Sequence, residues 1–139
     1  MEIESGRGIL LFVYGTMASR GRNHGRLYEH RAIRIGDKYL TENLFEMYLR
    51  SKNGAPCAVP ANSHGFPIEG ELYAVPAEAI VAIDAAEGSP YVYQRMPVLL
   101  REFRGAPVEM YHYVKPLNTE RQDEVPIRPH PDYVLRYEP

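Results

Sequence analysis

Residues 68–90, IEGELYAVPAEAIVAIDAAEGSP, contain the change of period that decides the fold class. From Ile68 to Val75, apolar and polar side chains alternate, the pattern of a strand with one buried face. Gly70 within that run signals a bulge or a close approach by neighbouring backbone. Pro76 ends the strand. From Ala77 to about Glu87 the chain is rich in alanine, is preceded by a proline and is stopped by Gly88, which predicts a helix. Ser89-Pro90 then turns the backbone out of helical geometry.

Strands are predicted on both sides of this unit. Ile9-Leu10-Leu11-Phe12-Val13-Tyr14 is a short continuous apolar run ended by Gly15, as expected of a buried strand. Ala32–Leu40 and Leu44–Leu49 read as further strands, with a turn at Asn53-Gly54. Tyr91–Phe103 and Val108–Val114 read as two more, joined by a hairpin connection at Arg104-Gly105-Ala106-Pro107. Beyond Lys115, Pro116, Pro126, Pro129, Pro131 and Pro139 predict an extended, irregular C-terminal segment. One main helix with strands before and after it defines an α+β fold. The expected form is a curled mixed β-sheet or partial barrel, with the helix packed on its side. The length of 139 residues suits a single domain spanning 1–139.

Composition narrows the functional classes. The chain is 45% hydrophobic and 24% charged, ordinary values for a globular protein. Its net charge of −2 gives no electrostatic reason to expect nucleic acid as a partner. The single cysteine, Cys57, excludes an intrachain disulfide framework and fits a reducing, cytoplasmic setting. No apolar run approaches the roughly 20 residues of a membrane helix, and the polar opening MEIESGRG is unlike a secretory signal. The His residues lack HExxH or other close ligand spacing, so no metal is expected. Gly6-Arg7-Gly8 precedes the first strand, the wrong side for a dinucleotide fingerprint.

Two places stand out as candidate chemistry. Ile80, Ile83 and Glu87 fall on one helical face, which places the Glu87 carboxylate at the edge of an apolar surface. It also lies at the negative end of the helix dipole, one turn from Asp84. Desolvation, the dipole and the neighbouring carboxylate all disfavour its charged form. Such a group can take and return a proton. Periodicity alone leaves open the commoner alternative, a Glu turned into solvent at a frayed helix end. The second place is Tyr14-Gly15-Thr16-Met17. A glycine at a strand end lets backbone N–H groups face an anion, though an ordinary turn has the same residues.

Arg95 reads as a partner in a structural ion pair or as an orienting group for a carboxylate. Cys57 reads as an inert buried thiol, because no local sequence pairs it with His24, His64 or His112. Arg20, Arg22 and Arg26 form a small basic loop, either solvated or attractive to an anionic substrate.

These segments, in this order, resemble the gamma-glutamyl cyclotransferase-like family. Val13-Tyr14-Gly15-Thr16-Met17 with Asn23-His24 is similar to its opening signature. Ile68–Tyr73 resembles its central strand. Asp84–Pro90 followed by Tyr93-Gln94-Arg95 is similar to the segment bearing its catalytic glutamate. The closing Leu135-Arg136-Tyr137-Glu138-Pro139 looks like the end of the gamma-glutamylamine cyclotransferase branch. Met17 stands where the family usually has Leu, and Gly54–His64 departs from the branch. The resemblance implies the gamma-glutamyl cyclotransferase-like fold and conversion of a gamma-glutamylamine or gamma-glutamyl peptide to 5-oxoproline. It implies Glu87 as the catalytic acid/base and Tyr14, Gly15, Thr16, Met17 and Tyr113 as substrate-binding residues. A small-molecule substrate is then the expected partner, without nucleic acid, membrane, metal or cofactor. Two other classes stay open on the sequence: a binding or regulatory module on the same fold, and a nucleic-acid-binding β-domain using the basic loop.

Overall fold

The computed structural model describes residues 8–15 and 25–138. The apolar run at the start becomes β1 (Gly8–Val13), followed by a short helix α1 (Gly25–Glu29), β2 (Ile33–Leu40), β3 (Phe45–Arg50) and β4 (Pro56–Pro60). β5 (Glu69–Pro76) runs directly into α2 (Ala77–Ala86). β6 (Tyr93–Leu100), β7 (Phe103–Tyr113) and a short β8 (Glu124–Pro126) complete the chain.

Five strands form one sheet in the order β2-β5-β1-β7-β6, and three form a second in the order β4-β3-β8. β1 pairs antiparallel with β5 and parallel with β7, so the larger sheet is mixed. That sheet curls until its outer strands touch beyond their ends, at a Thr41–Leu100 bridge. Glu42 N–H donates to Leu99 O at 2.7 Å and Arg101 N–H to Leu40 O at 2.9 Å across the seam. The seam is local, and the sheet is not a closed barrel. The α+β expectation therefore holds, with α2 as the main helix on one side.

The buried character of β1 follows from its position. Leu10 and Phe12 point into a core between the two sheets with Leu72, Met47, Phe45 and Met110. Leu11 and Val13 point the other way, into a core with Tyr73, Val75, Tyr111 and the α2 residues Ala79 and Ile83. A strand covered on both faces needs a continuous apolar run. Each such large side chain contributes about 1.5–3 kcal/mol by burial. Gly70 is a point of close approach, since a Cβ there would lie 2.6 Å from the Phe12 ring and from Val13 O.

Three features differ from the sequence expectation. The β6–β7 turn lies at Arg101–Glu102, and Arg104–Pro107 belongs to β7. Val98 pairs with Val108 and Leu100 with Phe103, so these four residues form a bulge opposite Leu99. Pro107 cannot donate to a ladder, and a bulge removes the need. β4 was hidden by its prolines, which are tolerated because it is an edge strand. The C-terminal segment is irregular as expected, but Pro126 sits in β8, the opposite edge of the same sheet. Val134 and Leu135 further on are buried, and Glu69 N–H donates to Leu135 O at 3.0 Å.

Candidate active site

Glu87 occupies the C-cap position of α2, and local backbone chemistry fixes it there. Gly88 adopts φ +69°, the left-handed geometry that glycine reaches without strain. Its N–H donates to Ala85 O at 3.1 Å, and Ser89 N–H donates to Asp84 O at 3.0 Å. These two bonds make a Schellman motif. Glu87 N–H itself donates to Ile83 O at 3.0 Å. Ile83 is buried and Ile80 partly buried on the same helix, as the shared face predicts, and Glu87 is half-buried at the end of that face.

Beside this cap lies a cavity of about 270 Å³. Glu87 and Gly88 form one wall, the end of β1 at Tyr14 and Gly15 another, and Tyr93 and Tyr111 the floor between them. Arg50 and Asn53, from the β3–β4 hairpin, complete the rim. Gly15 is required by proximity: a Cβ there would lie 2.9 Å from the Pro56 ring.

The three tyrosines have their hydroxyl protons committed. Tyr14 donates to Tyr111 O at 2.7 Å and accepts from Ala58 N–H at 3.3 Å. Tyr93 donates to Pro56 O at 2.9 Å, and Tyr111 donates to Asp84 Oδ1 at 2.5 Å. Burial raises the pKa of all three, and the negative charge of Glu87 adds to the effect in each case. They stay protonated at neutral pH and hold the walls in place.

Arg95 is engaged in structure. Its Nε and Nη2 reach the Asp84 carboxylate at 2.8 and 3.1 Å, and Nη1 reaches Glu109 at 2.7 Å. Burial disfavours the Asp84 charge, but hydrogen bonds from Arg95 and Tyr111 outweigh it and hold the Asp84 pKa below the usual carboxylate range. Cys57 is fully buried, and desolvation pushes its thiol up to about 11. An inert thiol fits that setting.

The structure brings Glu87, Tyr14 and Gly15 to one cavity. Thr16, Met17, Arg20 and Arg22 lie outside the described residues. Tyr113 does not line this cavity. It packs edge-on against Tyr93, with ring centroids 5.4 Å apart, and faces a neighbouring cavity. Tyr111, two residues earlier on the same strand face, lines the Glu87 cavity instead. Tyr93, Tyr111 and Arg50 were missed as site residues. Strand alternation places Tyr111 and Tyr113 on one face but does not say which stands opposite α2. Among the described residues, no three His, Cys, Asp or Glu side chains gather into a metal-binding group, and no helix is long and apolar enough to cross a membrane.

This sequence and fold match known proteins. The model of the family described as gamma-glutamyl cyclotransferase, AIG2-like, aligns with residues 11–135, and the chain belongs to that family. A gamma-glutamylaminecyclotransferase of Rattus norvegicus is 27% identical over 100 residues, which cover 69% of this chain and 67% of that protein. The crystal structure of an AIG2-like protein of Mus musculus superposes with a TM-score of 0.73 at 20% identity, over 96% of this chain and 97% of that one. A uropathogenic E. coli-specific protein superposes with a TM-score of 0.67 at 16% identity, over 86% of this chain and 87% of that one. At these identities the structural likeness establishes the shared fold.

Proposed function

We propose that the protein is a gamma-glutamyl cyclotransferase that releases 5-oxoproline and a free amine from gamma-glutamylamines. The observation that carries this reading is the placement of Glu87. A carboxylate fixed at a helix cap faces, across one small cavity, the backbone at the end of β1.

A gamma-glutamyl amide carries its α-amine within reach of its own γ-carbonyl. Glu87 takes a proton from that amine as the nitrogen attacks the γ-carbonyl carbon and the new C–N bond forms. The carbonyl π electrons pass to oxygen. They return as the original amide C–N bond breaks, and Glu87 delivers its proton to the departing nitrogen. The products are 5-oxoproline and the amine, and Glu87 ends as it began. The backbone at Tyr14–Gly15, with Thr16 and Met17 beyond it, binds the substrate and the developing oxyanion. Folding the substrate into an attacking conformation supplies a large part of the rate by itself.

The test is a panel of gamma-glutamyl compounds scored for 5-oxoproline release: gamma-glutamyl-ε-lysine, gamma-glutamyl-alanine and glutathione. Turnover with the highest kcat/KM on gamma-glutamyl-ε-lysine is expected. Release of no 5-oxoproline from any of them overturns the reading. Preference for a peptide overturns only the choice of leaving group.

A further inference from the structure

Among the described residues that line the Glu87 cavity, Arg50 is the one cationic side chain and Glu87 the one anionic side chain. They enter from different elements, Glu87 from the cap of α2 and Arg50 from the end of β3. Backbone bonds fix the base of Arg50. Its N–H donates to Ala55 O at 2.9 Å, and its carbonyl accepts from Gly54 N–H at 2.7 Å. Its guanidinium lies 5.6 Å from the centre of the Tyr113 ring. That cation–π contact restrains the side chain without supplying an anion to its N–H donors. Tyr113 in turn packs edge-on against Tyr93 in the cavity floor.

Among the described residues, no carboxylate stands within salt-bridge distance of Arg50. Glu124, its cross-strand partner, is buried and accepts from Asn118 N–H at 2.9 Å. Arg95, the other arginine near the site, is held by Asp84 and Glu109. The tyrosine hydroxyls cannot stand in as donors, because Tyr14, Tyr93 and Tyr111 give their protons to Tyr111 O, Pro56 O and Asp84. Arg50 is therefore a seated cation at the cavity rim with its charge uncompensated.

A gamma-glutamyl head carries its α-amine and its α-carboxylate on one carbon. In the proposed mechanism the amine meets Glu87, so the carboxylate enters the same cavity of about 270 Å³. A carboxylate taken out of water needs a counter-charge or several N–H donors. We propose that Arg50 is a specificity-determining residue that pairs with this α-carboxylate, leaving the backbone donors at the end of β1 to the γ-carbonyl oxygen. The planar guanidinium fork matches a carboxylate through two parallel N–H bonds. The proposal rests on the cyclotransferase reading and adds a substrate class to it. Free gamma-glutamyl compounds are taken, and glutamyl groups whose α-carboxyl is closed in an amide or peptide bond are refused. An amide there loses the charge and turns an N–H toward the guanidinium.

The first test needs no turnover. The full chain is titrated with 5-oxoproline and with its isosteric amide, 5-oxoprolinamide, followed by NMR shifts of the Ala55 and Gly88 amides on opposite walls. The wild-type chain should bind the acid about tenfold more tightly than the amide at low ionic strength. Arg50→Gln should bring that ratio close to one by weakening the acid alone, and Arg50→Lys, which keeps the charge but not the fork, should fall between. The second test compares gamma-glutamyl-ε-lysine with the same compound amidated at the glutamyl α-carboxyl. Arg50→Gln should raise KM for the acid about tenfold with kcat nearly constant, the signature of uniform binding. Equal wild-type binding of acid and amide, or a preference that Arg50→Gln leaves intact, overturns the assignment even if 5-oxoproline is released. So does a variant that weakens acid and amide alike, which would mark a structural role. An Arg50-dependent preference for the acid supports the carboxylate site even if no compound is turned over, an outcome that would overturn the cyclotransferase reading alone.

Discussion

Tyr111 reaches from β7 to α2 and gives its hydroxyl proton to Asp84 at 2.5 Å. Arg95 on β6 grips the same carboxylate through two nitrogens. Asp84 is one helical turn before Glu87, and its own carbonyl accepts the Ser89 N–H of the cap. The last turn of the helix is thus tied to the sheet by the side chain of Asp84 and closed by its backbone. The group that carries the proposed chemistry sits on a turn whose position two neighbouring strands dictate.

Tyr111→Phe should therefore act as a positioning change. It removes one charge-assisted hydrogen bond while leaving Arg95 on Asp84, so the expected loss of stability is about 1–2 kcal/mol. With the cap less firmly held, kcat on a confirmed substrate should fall several-fold with little change in KM. Denaturant midpoints and steady-state kinetics on the same preparation check both; an unchanged kcat would show that the tie is structural only.

Glu87→Gln should preserve the fold, because the cap bonds are made by backbone N–H groups. Gln matches the shape but cannot exchange a proton. The expected loss is about 10²–10⁴ in kcat with KM nearly constant. A variant with near wild-type kcat would remove Glu87 from the mechanism.

Gly15→Val tests the wall opposite. Its Cβ would press on the Pro56 ring, and Pro56 O is the acceptor that fixes Tyr93. The strain has to move Pro56, the end of β1 or both, at a cost of about 1–3 kcal/mol. Raised KM and lowered kcat in a folded variant are expected; unchanged values would show that this strand end does not hold substrate.

Much of this fold is legible locally. The β1 run shows a strand buried on both faces, and the sequence from Ala77 to Gly88 contains the helix, its stop and the residue at its cap. The prolines of β4 and the bulge at Arg104–Pro107 misled because an edge strand and an irregular strand use the same residues as a turn. The site was only half readable. Glu87 and Tyr14-Gly15 sit in distinctive local sequence. Tyr111 does not, because it meets Tyr14 across a sequence separation of 97 residues through the parallel pairing of β1 with β7. No local pattern encodes that sheet order. Arg50 was missed for a similar reason: it reaches the site from the second sheet, on a hairpin whose partner strand was hidden by proline.

The last prediction concerns His112, which is nearly buried beside Phe45, with neither ring nitrogen hydrogen-bonded among the described residues. Burial lowers its pKa below the usual value of 6.5. Above about pH 6.5 both folded and unfolded chains hold this histidine neutral, so it is neutral in its effect on stability. As pH falls below that value the unfolded chain takes up a proton that the folded chain resists. Stability should then decline, by at most about 1.4 kcal/mol per pH unit, down to the lowered folded pKa. Denaturant midpoints measured at pH 7.5, 6.5, 5.5 and 5.0 (all about) should trace this decline. His112→Phe keeps an aromatic ring against Phe45 but cannot titrate. Its stability should vary less steeply over the same window, whatever its absolute value. Equal slopes for the two proteins would mean that His112 already finds a partner for its proton in the folded state.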